Sequence, residues 1–244
     1  VRAKVLDLKK QGMKKLVLDL RGNGGGLMGE AANIASLFLP KGSLVVSSKG
    51  NTEKSLYEYR TTSDPIDTEM PVIVMISSGS ASASEILAAA LSDNGRGVLI
   101  GETTYGKGSV QQVHSIGLSG FKLTMSKYYT PEDKNIDKVG IPPLKEVKEK
   151  EFTDEEMESY KKLVEEFTIS NFVKDNPKPS EREINNFIKK LRKDNIVLEE
   201  RVIRKMIRNE LNLKLNNPPI FDMEYDIVLQ EAVKMLENGE IKVK

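Results

Sequence analysis

The sequence predicts an α/β fold followed by a charged helical region, and three observations predict it. Short β-branched and aliphatic runs alternate with helical patterns over the first part of the chain. One of those runs, Pro71-Val-Ile-Val-Met-Ile76, is continuously apolar, as in a strand buried on both faces. Charge is also uneven: 42 of the 104 residues from 141 onward are charged, against 31 of the first 140.

The elements run in order along the chain. Val1–Lys15 suits a helix that Gly12 ends, and Leu16–Leu20 reads as a strand leading into the loop Arg21-Gly-Asn-Gly-Gly-Gly26. A helix over Met28–Leu39 is stopped by Pro40. Ser43–Ser48, Ser55–Thr61 and Pro71–Ile76 are strand-like, and Ala83–Ser92 is a helix closed by Asn94-Gly95. Gly97–Gly101, Val110–Ile116 and Phe121–Tyr129 are further strands, the last two separated by the turn-prone Gly117–Gly120. Beyond them, Thr153-x-x-Glu156 and Ser180-x-x-Glu183 are capping boxes, each opening a helix, with Pro177 and Pro179 between the two. Ile196–Leu215 and Glu224–Leu236 supply two more helices, with Pro218-Pro219 between them.

Composition removes several kinds of chemistry. There are no cysteines, which excludes disulfides, thiolate nucleophiles and Cys-based metal sites. A single histidine, His114, excludes any site needing two imidazoles from one chain. The net charge of +1 gives no electrostatic case for nucleic acid or an anionic membrane as the main partner. No apolar run reaches the ~18 residues that span a bilayer, and no basic segment followed by an apolar one opens the chain. The chain starts at Val1 inside a helical pattern and reads as a piece of a longer protein.

Three loops carry candidate chemistry. Gly24-Gly-Gly-Leu-Met-Gly29 has the spacing of a dinucleotide-binding turn, but Arg21-Gly22-Asn23 separates it from the strand, and no acidic residue ends the next strand. Its backbone N–H groups are also suited to an oxyanion. Gly101–Gly108 misses a phosphate-binding loop because Gly108 stands where a serine or threonine should hold magnesium. Lys107, flanked by glycines, is either a solvated loop lysine or an enclosed amine. Ser77-Ser-Gly-Ser-Ala-Ser-Ala-Ser-Glu85 joins a buried strand to a helix N-terminus, where the helix dipole favours developing negative charge. Ser82 there either caps the helix, with Glu85 completing the box, or serves as a nucleophile.

Taken together, Leu18–Gly26, Gly79–Glu85, Thr104–Gln111 and Lys127–Pro131 resemble, in order and spacing, the C-terminal processing (tail-specific) proteases of serine peptidase family S41. Val139–Pro143 extends the match, and Tyr225–Leu236 resembles the family's closing helix. The resemblance implies a crotonase-like/ClpP-like α/β core at 1–147, a helical insertion at 148–222, and a closing helix and tail returning to the core at 223–244. It implies a serine endopeptidase that cuts near protein C-termini through an acyl-enzyme. Ser82 would be the nucleophile, Lys107 the general base and Gln111 the residue orienting that base. Ala83 N–H and Gly25 or Gly26 N–H would form the oxyanion hole.

A lysine at its reference pKa of about 10.4 is almost wholly protonated near pH 7, so such a base needs enclosure from water. No metal and no cofactor is called for. The implied partners are protein or peptide substrates held by their C-terminal tails, a PDZ domain in the parent protein and a homo-oligomer; the implied setting is a cell envelope or periplasm. No PDZ domain lies in the chain, Leu144 replaces the usual acidic residue after the paired prolines, and the insertion has no counterpart in the simple family pattern. Without that anchor, weak activity is expected, with the Ser82 and Lys107 side chains beyond hydrogen-bond reach. The rival readings are a catalytically incompetent binding module of the same fold and a nucleotide-binding enzyme.

Overall fold

A computed structural model describes residues 1–51, 56–117, 119–216 and 218–241. The predicted Ser55 start of one strand, Leu118 of one turn and the last three residues lie outside the described residues. The chain divides into two compact units, one of Val1–Lys148 with Val228–Lys244, the other of Glu149–Ile227.

The first unit holds two four-stranded sheets. One is wholly parallel, β1 (Leu16–Asp19), β4 (Val72–Ile76), β5 (Val98–Gly101) and β8 (Lys145–Glu146), in the order β1-β4-β5-β8. All five residues of β4 are buried, as its unbroken apolar run predicts. The other is antiparallel, β2 (Leu44–Gly50), β3 (Tyr57–Arg60), β6 (Ser109–Ile116) and β7 (Ser119–Tyr129), in the order β3-β2-β7-β6. Three helices precede or follow these strands: α1 (Arg2–Lys10), α2 (Met28–Ala35) and α3 (Ala83–Asp93). Ile86, Leu87 and Leu91 of α3 join Val72, Val74, Ile76, Leu99 and Phe38 in one apolar core.

Register sets the site. Asp19 pairs with Met75, and Ile76 with Gly101, so β1, β4 and β5 end side by side. Parallel strands that end together release their following loops at one edge, where α/β sheets form binding crevices. Those loops are 20–27, 77–82 and 102–108, the three singled out in the sequence.

The predicted Met28–Leu39 helix stops at Ala35. Leu37, Phe38 and Leu39 are buried in the core, and their carbonyls serve other partners: Leu37 O accepts from Ile66 N–H (2.8 Å), and Phe38 O from the Arg96 guanidinium (3.1 Å). Local turn bonds still carry the chain to Leu39: Leu37 N–H bonds Ile34 O (3.0 Å), and Phe38 and Leu39 N–H bond Ala35 O (3.0 and 2.9 Å). The first helix ends at Lys10, where Gly12, whose φ is +91°, stops it as expected.

The second unit contains α4 (Asp154–Glu165), α5 (Thr168–Asp175), α6 (Glu181–Lys193) and α7 (Glu200–Leu213). Thr153 and Ser180 close the two predicted capping boxes. The helix expected to run from Thr153 to the prolines is two helices, broken at Phe167 in the left-handed region (φ 54°). The break lets Leu163, Ile169 and Val173 face one core with Ile188, Leu191, Ile203 and Ile207. Ile196–Leu198 precedes the helix rather than opening it: Ile196 and Leu198 are buried, and Val197 N–H donates to Ser159 Oγ (2.9 Å). The last helix, α8 (Ile227–Glu237), starts three residues later than predicted, since the Asp222 carboxylate accepts from Glu224 and Tyr225 N–H in a turn. No helix among the described residues is long and apolar enough to cross a membrane.

Candidate active site

Ser82 stands at the junction between the β4 loop and α3, with φ 59° and ψ −119°. This backbone is costly for a residue with a Cβ, and such strain persists only where surroundings over-determine it. The surroundings are visible. Ser80 is fully buried; its hydroxyl donates to Leu20 O (2.7 Å) and accepts from Ser77 N–H (3.0 Å). Ser77 Oγ accepts from Gly22 N–H (3.1 Å), and Ala81 N–H donates to Asn23 O (3.0 Å). The serines around Ser82 therefore stitch the β4 loop to the β1 loop.

Gly25 makes that join close. Its φ is +89°, and a Cβ there would lie 2.5 Å from Ala81 O and 2.7 Å from Ala83 N, which no side chain tolerates. The glycine loop packs onto the Ser82 turn instead of opening as a dinucleotide cradle. Gly25 N–H is taken by Asn23 Oδ1 (2.9 Å). Gly26 N–H and Ala83 N–H carry no hydrogen bond among the described residues, so of the two glycines Gly26 keeps a free donor.

Glu85 ties this turn to the third loop. Its side chain is fully buried, and its carboxylate accepts four hydrogen bonds. Oε1 takes Thr104 Oγ1 (2.6 Å) and Gly106 N–H (2.7 Å); Oε2 takes Ser82 N–H (2.8 Å) and Lys107 N–H (2.8 Å). One carboxylate oxygen thus holds the backbones of Ser82 and Lys107, 25 residues apart in sequence. The spacing Ser82-x-x-Glu85 signals a helix cap, and the capping box is present. Glu85 N–H also bonds the Ser82 carbonyl (2.9 Å).

Lys107 is exposed, and its amine has no hydrogen-bond or ion-pair partner among the described residues; none joins it to Ser82 Oγ. Through Gly108 the chain passes from Lys107 into strand β6, not into a helix, which removes the phosphate-loop reading. Gln111 is exposed in β6 and makes no hydrogen bond to Lys107. His114 stacks on Phe121 (centroids 5.2 Å apart) further along the same strand.

Three adjoining loops, then, gather a strained serine, a lysine and unbonded backbone donors at the ends of a parallel sheet. The model of peptidase family S41 matches residues 1–147, and the chain belongs to that family. Its relatives are C-terminal processing proteases. A chloroplastic C-terminal processing peptidase of Tetradesmus obliquus is 40% identical over 138 residues, 56% of this chain and 29% of that protein. A carboxy-terminal processing protease of Bacillus subtilis is 41% identical over 142 residues, again 56% of this chain and 29% of its own length. The chain thus spans under a third of the length of these curated relatives. Among solved structures, a photosystem II D1 C-terminal processing protease aligns with a TM-score of 0.53 at 37% identity, over 59% of this chain and 37% of that one.

Proposed function

We propose that the chain carries the catalytic part of a serine endopeptidase that cuts proteins near their C-termini, working through a Ser-Lys dyad. The observation that carries this reading is the Glu85 carboxylate, which holds Ser82 N–H and Lys107 N–H on one oxygen. In the proposed reaction neutral Lys107 takes the Ser82 hydroxyl proton as Oγ attacks the scissile carbonyl. The oxyanion is held by Ala83 and Gly26 N–H at the positive end of α3. Lys107 returns the proton to the leaving amine, and water then hydrolyses the acyl-enzyme by the reverse roles. An exposed lysine is a poor base, so the substrate itself must cover the amine and exclude water as it binds. In this reading residues 1–147 and the returning α8 form the catalytic core, 148–222 is an insertion, and the parent protein works outside the cytoplasm.

The test is hydrolysis of a synthetic C-terminal peptide by the purified chain, followed by mass spectrometry. Ser82→Ala is expected to lower turnover by ~10⁴-fold or more while thermal unfolding is unchanged. Lys107→Arg keeps the charge but cannot give up its proton near pH 7, and is expected to be equally inactive. Substantial turnover by either variant removes the dyad.

A further inference from the structure

We infer that the free outer edge of β6 is the substrate-docking strand, on which an extended polypeptide tail is laid as an added β-strand. The inference rests on the peptidase reading and names its substrate class. Among the described residues β6 ends its sheet and pairs with β7 alone. It has eight residues, all exposed or half-buried, with Val113 64% and Ile116 65% exposed.

An unpaired edge is a ready template for another chain, and proteins blunt such edges with charge, proline or brevity. The other edges here are blunted. β3 has four residues and carries Glu58 and Arg60; β8 is only Lys145-Glu146; β1 has four residues and ends in Asp19. β6, Ser109-Val-Gln-Gln-Val-His-Ser-Ile116, has no Lys, Arg, Asp, Glu or Pro. It is the longest of the four and the only one of them left unguarded.

Its position says what it is for. One residue, Gly108, separates β6 from Lys107. That residue is clamped: a Cβ on Gly108 would lie 2.3 Å from Asp137 N, and its carbonyl accepts from Tyr128 N–H (2.7 Å). A strand paired along β6 is therefore delivered to the loop of the candidate base. A second copy of this chain would gain nothing from that address, whereas a scissile peptide requires it. Main-chain pairing binds regardless of sequence, and side chains of every second residue supply selectivity. Register puts Phe121 opposite His114 and Leu123 opposite Gln112, so one face of the ribbon presents His114, Ile116, Phe121 and Leu123. The chemistry fitted to it is an unfolded tail with apolar side chains at alternate positions.

The experiment uses the Ser82→Ala chain and a synthetic peptide with leucine at every second position and polar residues between. Single backbone N-methyl groups are moved along the peptide, and affinity and amide hydrogen exchange are measured. The expected result is alternation: N-methylation at every second amide weakens binding ~10-fold or more, the others less than about two-fold, and peptide slows exchange in β6. Ile116→Lys, a change at an exposed position on that face, is expected to weaken binding several-fold with unaltered thermal unfolding. Uniform tolerance of N-methylation, protection elsewhere, no binding, or protection of β6 through self-association without peptide would each overturn the inference. Hydrolysis by the wild-type chain is scored separately. Cleavage without alternation leaves the peptidase reading standing and sinks this one; binding along β6 without cleavage does the reverse.

Discussion

The two units use their polar groups differently. In Val1–Lys148 with Val228–Lys244, polar side chains are buried and bonded across distant loops: Glu85, Ser80, Thr104 and Arg96 are all nearly inaccessible. Arg96 donates from Nε and Nη2 to the carbonyls of Phe38 and Asp67, while its Nη1 has no partner among the described residues. In Glu149–Ile227, polar groups mostly pair at the surface. Arg201 and Lys205 share Glu149, Arg204 pairs with Glu181 and Glu200, and Arg208 with Asp222 and Glu224. Buried polar groups cost stability unless every bond is made, so they specify geometry; surface pairs contribute little energy and specify little. The first pattern belongs to a region whose loops must be placed accurately. The second belongs to helices held by one apolar core.

Substitutions can break that contrast, beginning with the largest effect. Glu85→Gln turns an amide N–H₂ toward two of its four donors, leaving buried groups unpaired. It is expected to cost about 3 kcal/mol in urea unfolding and to lower hydrolysis ~100-fold, because the Ser82 and Lys107 loops drift. Normal values for both would mean that the buried network specifies nothing. In the second unit, Ile203 is fully buried among the helices, and Ile203→Ala is expected to destabilise that unit by about 3 kcal/mol, read by calorimetry.

A pH measurement sharpens the contrast in the first unit. Burial alone would raise the Asp67 carboxyl, but the Lys9 ammonium and the N–H groups of Met70 and Glu69 outweigh it and hold it at about 2. A carboxyl depressed on folding stabilises the protein above its unfolded value, near 3.8, and loses that contribution as pH falls through about 2. Asp67→Asn is therefore expected to be about 1 kcal/mol less stable than wild type at pH 5 in urea unfolding, the gap closing near pH 2. The smallest effect is expected of Arg208→Ala, which removes pairs to Asp222 and Glu224 at the surface and should shift stability by no more than about 0.5 kcal/mol. A loss several times larger would show that the surface pairs of the second unit do specify its structure.

Much of the molecule is written locally. The apolar run Val72–Ile76, the small-residue turn before α3, and the capping boxes at Thr153 and Ser180 are short-range patterns, and each produced the element it predicts. The order of the glycine, serine and lysine blocks carried the family, because such blocks are linear. Other features required the fold. Glu85 reads as a cap from its spacing, and only the third loop's return supplies Thr104, Gly106 and Lys107 as its further donors. The Leu37 and Phe38 carbonyls after the helix ending at Ala35 find their partners in Ile66 and Arg96, which no window around residue 36 contains. Likewise, that β6 lies at an edge depends on which strands lie beside β7. The sequence by itself determined the elements whose bonds and periodicity are local, and with them the residues able to do chemistry. Tertiary structure alone decided which of those residues share an oxygen, a turn or an open edge, because contacts between distant segments exist only once the strands are in register.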